Sequence, residues 1–342
     1  MIGEKKVIKL ALSFKAAGTV LFVVGCLFGG NKPIWISSHG VNIESDKYIV
    51  DERKEVDSFN NMNINVDYAD IEIEKGEKLE IESIYDKSFE EISYDVSEGT
   101  LNINGKSKRK NFFNISFFGN NENKNSTIKI FIPDNSTISN IKLKLDNGDM
   151  KVNDLNLINA DLCSNYGEVS LNTVNFSTIR VNSKYGDIIC NNIKGDVITI
   201  DSQYGGVEAD NMEAESFIGT LKCGNMNFNN IKIRNSTLTN EYGDIKADEV
   251  AANGINIVCK SGDIDISGEL TGKNIINSEY GDVKINTSIL EKDYSYDLSI
   301  KAGECKINDR NQDNYYKKTE SSTDNMINAV CKCGDLKINF KE

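Results

Sequence analysis

The chain has 342 residues, of which 39 are basic and 52 acidic, giving a formal charge of −13, with one histidine and two prolines. That charge excludes nucleic acid as a partner, because phosphates require clustered Lys and Arg, and it turns an acidic body away from anionic lipid. His39 is the single histidine, so His-based triads and His-rich metal sites are excluded, and no Walker A loop occurs.

The chain opens on an anchor signal. Lys5, Lys6, Lys9 and Lys15 precede an uncharged run from Ala16 to Gly30. Counted from Val7 to Gly30 the segment spans 24 residues, enough for a transmembrane helix if Lys9 and Lys15 snorkel to the interface. The lysines keep the N-terminus cytoplasmic and export the rest of the chain. Residues 1–34 therefore read as a cytoplasmic tip and a single-pass membrane anchor. Two alternatives stay open. One is lipidation at Cys26, within Val23-Val24-Gly25-Cys26; the other is signal cleavage, although no A-x-A site is present. All three place the body outside the cytoplasm, the span and the lipid anchor holding it at the cell membrane; a cytosolic fate is the remaining alternative.

Residues 35–140 read as an irregular N-terminal β region that caps the repeats beyond it. Val66-Asp67-Tyr68-Ala69-Asp70-Ile71 resembles a rung of the later repeat with Ala69 in the glycine slot, and Glu98-Gly99-Thr100-Leu101 suggests a second. Near its end, Lys106, Lys108, Arg109 and Lys110 lead into Phe112, Phe113, Phe117 and Phe118. A basic cluster beside aromatics is a candidate contact for anionic lipid or a protein partner. The plainer reading is a strand burying Phe113, Ile115 and Phe117 beside a solvated charge run.

From residue 141 to 342 a short unit repeats. Gly148, Gly167, Gly186, Gly205, Gly224, Gly243, Gly262 and Gly281 are separated by seven consecutive intervals of 19, and looser copies occur at Gly303 and Gly334. An aliphatic residue stands two positions after most of these glycines, as in Val169, Ile188 and Ile245, with period-2 alternation on either side. Alternation of this kind marks strands with one buried face. Two strands and a Gly-Asp corner per 19 residues predict an all-β, parallel, single-chain β-solenoid. About five or six inward side chains per coil, at roughly 1.5–3 kcal/mol each, supply the driving force once coils stack. Residues 308–326 are polar and read as a loop, and the charged end Lys341-Glu342 would blunt the last strand's edge.

Three rows of side chains arise from the period. Tyr166, Tyr185, Tyr204, Tyr242 and Tyr280 share one corner, either as a stacked ladder that stiffens it or as an aromatic track for sugar rings. Asp149, Glu168, Asp187, Asp244, Asp263, Asp282, Glu304 and Asp335 form an acidic row suited to accepting turn amides; Ca²⁺ would relieve its repulsion, but Gly206 and Asn225 interrupt it. Glu241, Lys260, Glu279 and Lys301 alternate in sign along a neighbouring row. The eight cysteines form no ligand box. Cys331 and Cys333, two apart on a strand, should face the same way and fill core space.

The ladder of [Tyr/Ser]-Gly-Asp-[Ile/Val], together with Phe28-Gly29-Gly30-Asn31-Lys32, Trp35-Ile36, Gly40-Val41 and the strand Thr127 to Asp134, resembles the bacterial "putative adhesin" family, domain of unknown function 4097. The resemblance implies a membrane-anchored β-solenoid outside the cytoplasm, with a suggested link to envelope stress and no established catalytic residues or cofactor. The expected function is a non-catalytic, adhesin-like interaction scaffold whose partner is a protein or an envelope polymer. The alternatives are an envelope-stress sensor and a polysaccharide-active β-helix enzyme. A concave cleft bearing acidic and basic groups along one strand face would favour the enzyme, whereas the arginines here are scattered (Arg53, Arg109, Arg180, Arg234, Arg310).

Overall fold

The computed structural model describes residues 34–37, 40–43, 49–108, 126–134 and 136–341, and within these the chain is almost wholly β. The expected transmembrane helix over 1–34 lies outside the described residues apart from Ile34, which is in a strand, and no described helix is long and apolar enough to cross a membrane. β1 (Ile34–Ser37) and β2 (Gly40–Ile43) form a small antiparallel hairpin.

The regular body consists of β10 (Ile138–Asn147) and five 17-residue strands, β11 (Met150–Tyr166), β12 (Val169–Tyr185), β13 (Ile188–Tyr204), β14 (Val207–Cys223) and β15 (Met226–Tyr242). Each pairs in parallel with the next at an offset of 19, so every residue sits beside its own repeat equivalent. The repeating glycines do line up along one axis. Within β11 the inward residues fall in three short runs, Met150–Val152, Leu155–Leu157 and Ala160–Ser164, divided by outward bends. Each turn therefore has three inward faces, one more than the alternation around glycine suggests. The extra bend sits six residues after the glycine, where Asp154, Thr173, Asn192, Asn211, Asn230 and Glu249 all take positive φ near 55°. Asn and Asp tolerate that conformation, so the bend lacks glycine's visible mark.

Both ends depart from sequence order. At the first, β4 (Asn61–Tyr68) and β5 (Asp70–Gly76) stack directly under Gly148, with Ala69 in the corner, as the degenerate rung implies. Outside them lie β8 (Thr100–Ser107) and β9 (Thr127–Pro133), later in sequence yet farther from the centre. β3 (Ile49–Glu55), β6 (Glu80–Asp86) and β7 (Glu90–Ser97) close this end: β7 pairs antiparallel with β8, and β6 with β9 and β3. Glu98-Gly99 is thus the two-residue turn of the β7–β8 hairpin and no rung corner, which corrects the second expected rung. Both residues have φ > 0, as a primed hairpin turn requires.

The far end mirrors this. β16 (Ile245–Asn253), β17 (Ile255–Ser261), β18 (Ile264–Thr271), β19 (Lys273–Tyr280) and β20 (Val283–Leu290) continue the stack. The next rung in space is the chain's last, β25 (Met326–Cys333) and β26 (Leu336–Lys341). β21 (Ser295–Ala302) and β22 (Cys305–Ile307) lie beyond it. Residues 308–326, expected to be a loop, carry β23 (Arg310–Gln312) and β24 (Tyr315–Lys318), which pair antiparallel with β22 and β21 and cover the edge. The chain's last strand is therefore not the outer edge of the stack, since β26 lies between β20 and, over Leu336 to Ile338, β22. One continuous core runs from Phe59 to Phe340.

Candidate functional site

The glycine corner is built by three repeated contacts. A Cβ on Gly167 would lie 1.9 Å from the Gly148 carbonyl oxygen, and at Gly186, Gly205 and Gly224 the same contact would be 2.0, 2.1 and 2.3 Å. Only glycine permits this approach, and φ there is +127 to +151° along Gly148 to Gly281. The residue after the glycine accepts the backbone N–H of its counterpart one rung on: Asp149 Oδ1 from Glu168 at 2.9 Å, Asp263 from Asp282 at 2.8 Å, and Asp282 from Asp335 at 2.8 Å. Three residues before most of these glycines a side-chain donor satisfies the glycine carbonyl: Ser183 to Gly186 at 3.1 Å, Ser202 to Gly205 at 3.2 Å, and Cys259 Sγ to Gly262 at 3.5 Å, whereas Leu145, Leu221 and Ile300 take the slot before Gly148, Gly224 and Gly303. Cys331 fills this slot too, bonding Gly334 O at 3.4 Å, while Cys333 is an exposed corner residue. The two thiols therefore do not share a face, because the strand turns at the corner. This donor row escaped the sequence reading, although its 19-residue recurrence was available to find it.

The tyrosines occupy the residue before each glycine. Tyr166, Tyr185 and Tyr204 stack with centroids 4.9 and 5.0 Å apart and planes within 7°. Register places Cys223 after Tyr204, then Tyr242, Ser261, Tyr280, Cys333 and Ala302. All five tyrosines are exposed, Tyr242 and Tyr280 most of all at 57% and 62%. Lys184 and Lys222 ammonium groups sit 5.5 and 5.9 Å from the Tyr185 and Tyr204 ring centroids. Beside this corner lies a shallow depression of about 490 Å³ lined by Cys163, Asn182, Lys184, Asp201 and Lys222 among others.

A second, larger cleft of about 720 Å³ lies on another part of the rung, floored by Phe176, Gly195, Ala214, Ile233 and Ala252. Its rims carry Lys194, Glu213, Lys232, Glu215 and Arg234. Glu213 lies 3.2 Å from Lys194 and 3.5 Å from Lys232, and Glu215 lies 3.2 Å from Arg234. The hydrogen bond and charge of Lys194, seconded by Lys232, hold the Glu213 carboxyl below its ordinary range. A general acid needs the opposite shift. Glu74 does have an upward shift, from burial and neighbouring Glu72, but it is not in this cleft.

No described group of three or more His, Cys, Asp or Glu side chains is placed to hold a metal ion. Burial raises the thiols of Cys163, Cys259 and Cys305 and pushes Cys190 up to about 12 and Cys331 up to about 11. None of these five is primed as a nucleophile.

Of the basic-aromatic candidates, Lys106 and Lys108 are exposed at the end of β8, with Lys108 Nζ donating to the Lys87 carbonyl at 3.2 Å. Arg109, Lys110, Phe112, Phe113, Phe117 and Phe118 lie outside the described residues. β8 ends and β9 begins near the corner level with Ala69.

The chain matches the Toastrack DUF4097 family twice, over residues 59–215 and 177–339. No curated protein matches it. Among solved structures it is similar to a "putative adhesin" from Parabacteroides merdae ATCC 43184, with TM-score 0.45, 14% identity, 87% of this chain and 98% of that one. It is also similar to a "putative adhesin" from Bacteroides fragilis NCTC 9343, with TM-score 0.40, 15% identity, 86% of this chain and 97% of that one. A "putative cell adhesion protein" from Clostridium sporogenes ATCC 15579 aligns at TM-score 0.26 and 15% identity, over 86% of this chain and all of that one (100%). With most of the chain matched and its repeated Gly-Asp corners in register, this protein belongs to the Toastrack DUF4097 family.

Proposed function

We propose that the protein is a non-catalytic interaction scaffold, a β-solenoid held at the cell membrane by its N-terminal segment with its body outside the cytoplasm. The observation that carries the reading is the row of five exposed tyrosines on a corner whose backbone is locked rung to rung. Rigid, exposed aromatics bury area on binding at little entropic cost, which is why they dominate recognition surfaces. The uncharged run Ala16–Gly30 behind four lysines supports the anchor. The test uses intact cells expressing the full chain. Surface protease should remove the body, and alkaline carbonate should leave the chain in the membrane pellet. A protected body would refute the exported placement. Replacing Tyr166, Tyr185 and Tyr204 by Ser should deplete the proteins or polymers recovered by cross-linking from those envelopes; an unchanged set would refute the tyrosine corner as the binding surface.

The larger cleft is the one observation that favours a polysaccharide-active enzyme, since it is concave and bears both signs of charge. Its carboxylates Glu213 and Glu215 are tied into rung-to-rung ion pairs, which suits surface cohesion better than proton transfer. Turnover of a uronide or other envelope glycan, abolished by Glu213→Gln, would establish the enzyme reading instead.

A further inference from the structure

Beyond Tyr204 the aromatic row changes character. It runs Cys223, Tyr242, Ser261, Tyr280, Cys333, so ring and gap alternate with a period of two rungs. The gaps at Cys223 and Ser261 each separate two rings by about 10 Å, two of the ~4.8 Å rung steps. A ring entering a gap would sit at the spacing at which Tyr166, Tyr185 and Tyr204 already stack.

We infer that this half of the corner is a self-association surface, in which Tyr242 and Tyr280 of one copy insert into the gaps at Ser261 and Cys223 of a second, antiparallel copy. A two-fold axis perpendicular to the solenoid reverses the rung order while keeping each flanking row opposite its own kind. Pairing Tyr242 with the partner's Ser261 gap automatically pairs Ser261 with the partner's Tyr242, so the contact is isologous and closes as a dimer.

The charges choose this register over its neighbours. Two residues before the glycines stand Lys222, Glu241, Lys260, Glu279 and Lys332, alternating in sign with the same two-rung period. In the ring-in-gap register Lys222 faces the partner's Glu279, and Glu241 faces the partner's Lys260. A slip of one rung puts ring on ring, Lys260 on the partner's Lys260 and Lys222 on the partner's Lys332. The row after the glycines is less favourable, since Asp244 then faces the partner's Asp263. That gives two like-charge pairs against four opposite ones. The opposite charges are exposed and already bonded within their own chain, Lys260 to Glu241 at 2.9 Å and Lys332 to Glu279 at 2.7 Å. They set register, while the four buried rings supply affinity. The patch is small, so the dimer belongs among weak ones.

This inference names a partner for the corner in the proposed scaffold but does not use the anchor, so an exported, membrane-held monomer would refute the pairing alone. The experiment compares full-length wild type with Ser261→Tyr by sedimentation in density-matched detergent. Ser261→Tyr places the row's usual residue in the gap, so the fold should melt as wild type does while the dimer dissociation constant rises at least about tenfold. Register is read in the double variant Tyr280→Cys, Cys333→Ser. Mild oxidation should join position 280 of one chain to Cys223 of another, as mapped by mass spectrometry of linked peptides. Three results would overturn the inference: a wild-type chain that stays monomeric at hundreds of micromolar, a Ser261→Tyr variant that dimerises like wild type, or wild-type dimers linked through Cys223 and Cys333, which mark the slipped register.

Discussion

Adjacent glycines at one corner should respond in opposite ways to a side chain. At Gly205 φ is +151° and a Cβ would lie 2.1 Å from the Gly186 carbonyl oxygen and 2.6 Å from its carbon. That oxygen belongs to the neighbouring rung's corner, stacked in turn on the rung beyond, so it has no free direction in which to move. Holding alanine at that φ costs about 1–3 kcal/mol, and relieving the overlap costs about as much again. Gly205→Ala should therefore destabilise by about 4 kcal/mol, a large share of the roughly 5–15 kcal/mol typical of a domain. Gly206, one residue on, has ordinary φ, and its Cβ would meet nothing closer than the Asn225 carbonyl at 3.2 Å. Here the ladder of side-chain acceptors skips a link: Asp187 accepts the Gly206 amide at 2.7 Å, but Gly206 has no side chain to offer Asn225. Gly206→Asn restores the link with a residue the row already uses, since Asn225 accepts the Asp244 amide at 2.9 Å. The added hydrogen bond and the lost glycine freedom together should stabilise by about 1 kcal/mol. Urea and thermal unfolding of the two variants, followed by circular dichroism, decide the matter. If Gly205→Ala unfolds within about 1 kcal/mol of wild type, or Gly206→Asn is the worse of the two, the rung-stacking account of these glycines is wrong.

The donor row makes Cys259→Ser nearly neutral, because serine fills that slot elsewhere, whereas Cys259→Ala should cost about 1 kcal/mol by removing the donor to the Gly262 carbonyl, the Gly243 carbonyl keeping Asn240; equal melts for the two would contradict it. Burial keeps the Cys190 thiol and the Tyr294 phenol protonated up to about 12, against ordinary values of 9.0 and 10.0. Their contribution is intact below about pH 9 and is lost as pH climbs toward 12, since the unfolded chain ionises first, and Cys190→Ala should flatten part of that alkaline decline in a pH series of melts. In the folded chain at about pH 8, iodoacetamide should label exposed Cys333 quickly and Cys190 only after denaturation. Because β26 is clamped between β20 and β22, its amides should exchange as slowly as interior rungs despite lying at the C-terminus, and truncation before Met326 should loosen β21 and β22 as well; rapid exchange of Ile338 would refute the inserted-rung topology.

How much was legible depended on whether a feature repeats. The glycine spacing exposed the solenoid because stacking imposes the same steric demand on every rung, so one period writes itself into the chain many times. Ala69 could be recognised as a degenerate corner for the same reason, through its neighbours Tyr68, Asp70 and Ile71. The bend six residues after glycine was missed since Asp, Thr, Asn and Glu all serve there, and no single residue type marks it. Cys331 and Cys333 were misjudged by extending strand alternation through a corner. Exposed ion pairs such as Lys194–Glu213 showed no sequence signal beyond charge, and their gathering around a cleft depends on Gly195 and Ala214 leaving room on the floor.

The sequence by itself determined the class of fold, the corner and the rows of tyrosine, acid and glycine, because these obey a local rule applied at each step of 19. Only the tertiary structure decided the order of the terminal rungs. Strand edges pair by exposing unpaired amides and carbonyls, and any edge of matching register will serve, whether or not it is next in sequence. At each end the rung nearer the chain terminus lies inside, and the outermost rung is covered by antiparallel strands, β6 and β7 at one end and β23 and β24 at the other. That arrangement closes the open edges a plain coil would leave, and no local pattern could announce it because it is a choice among equivalent partners.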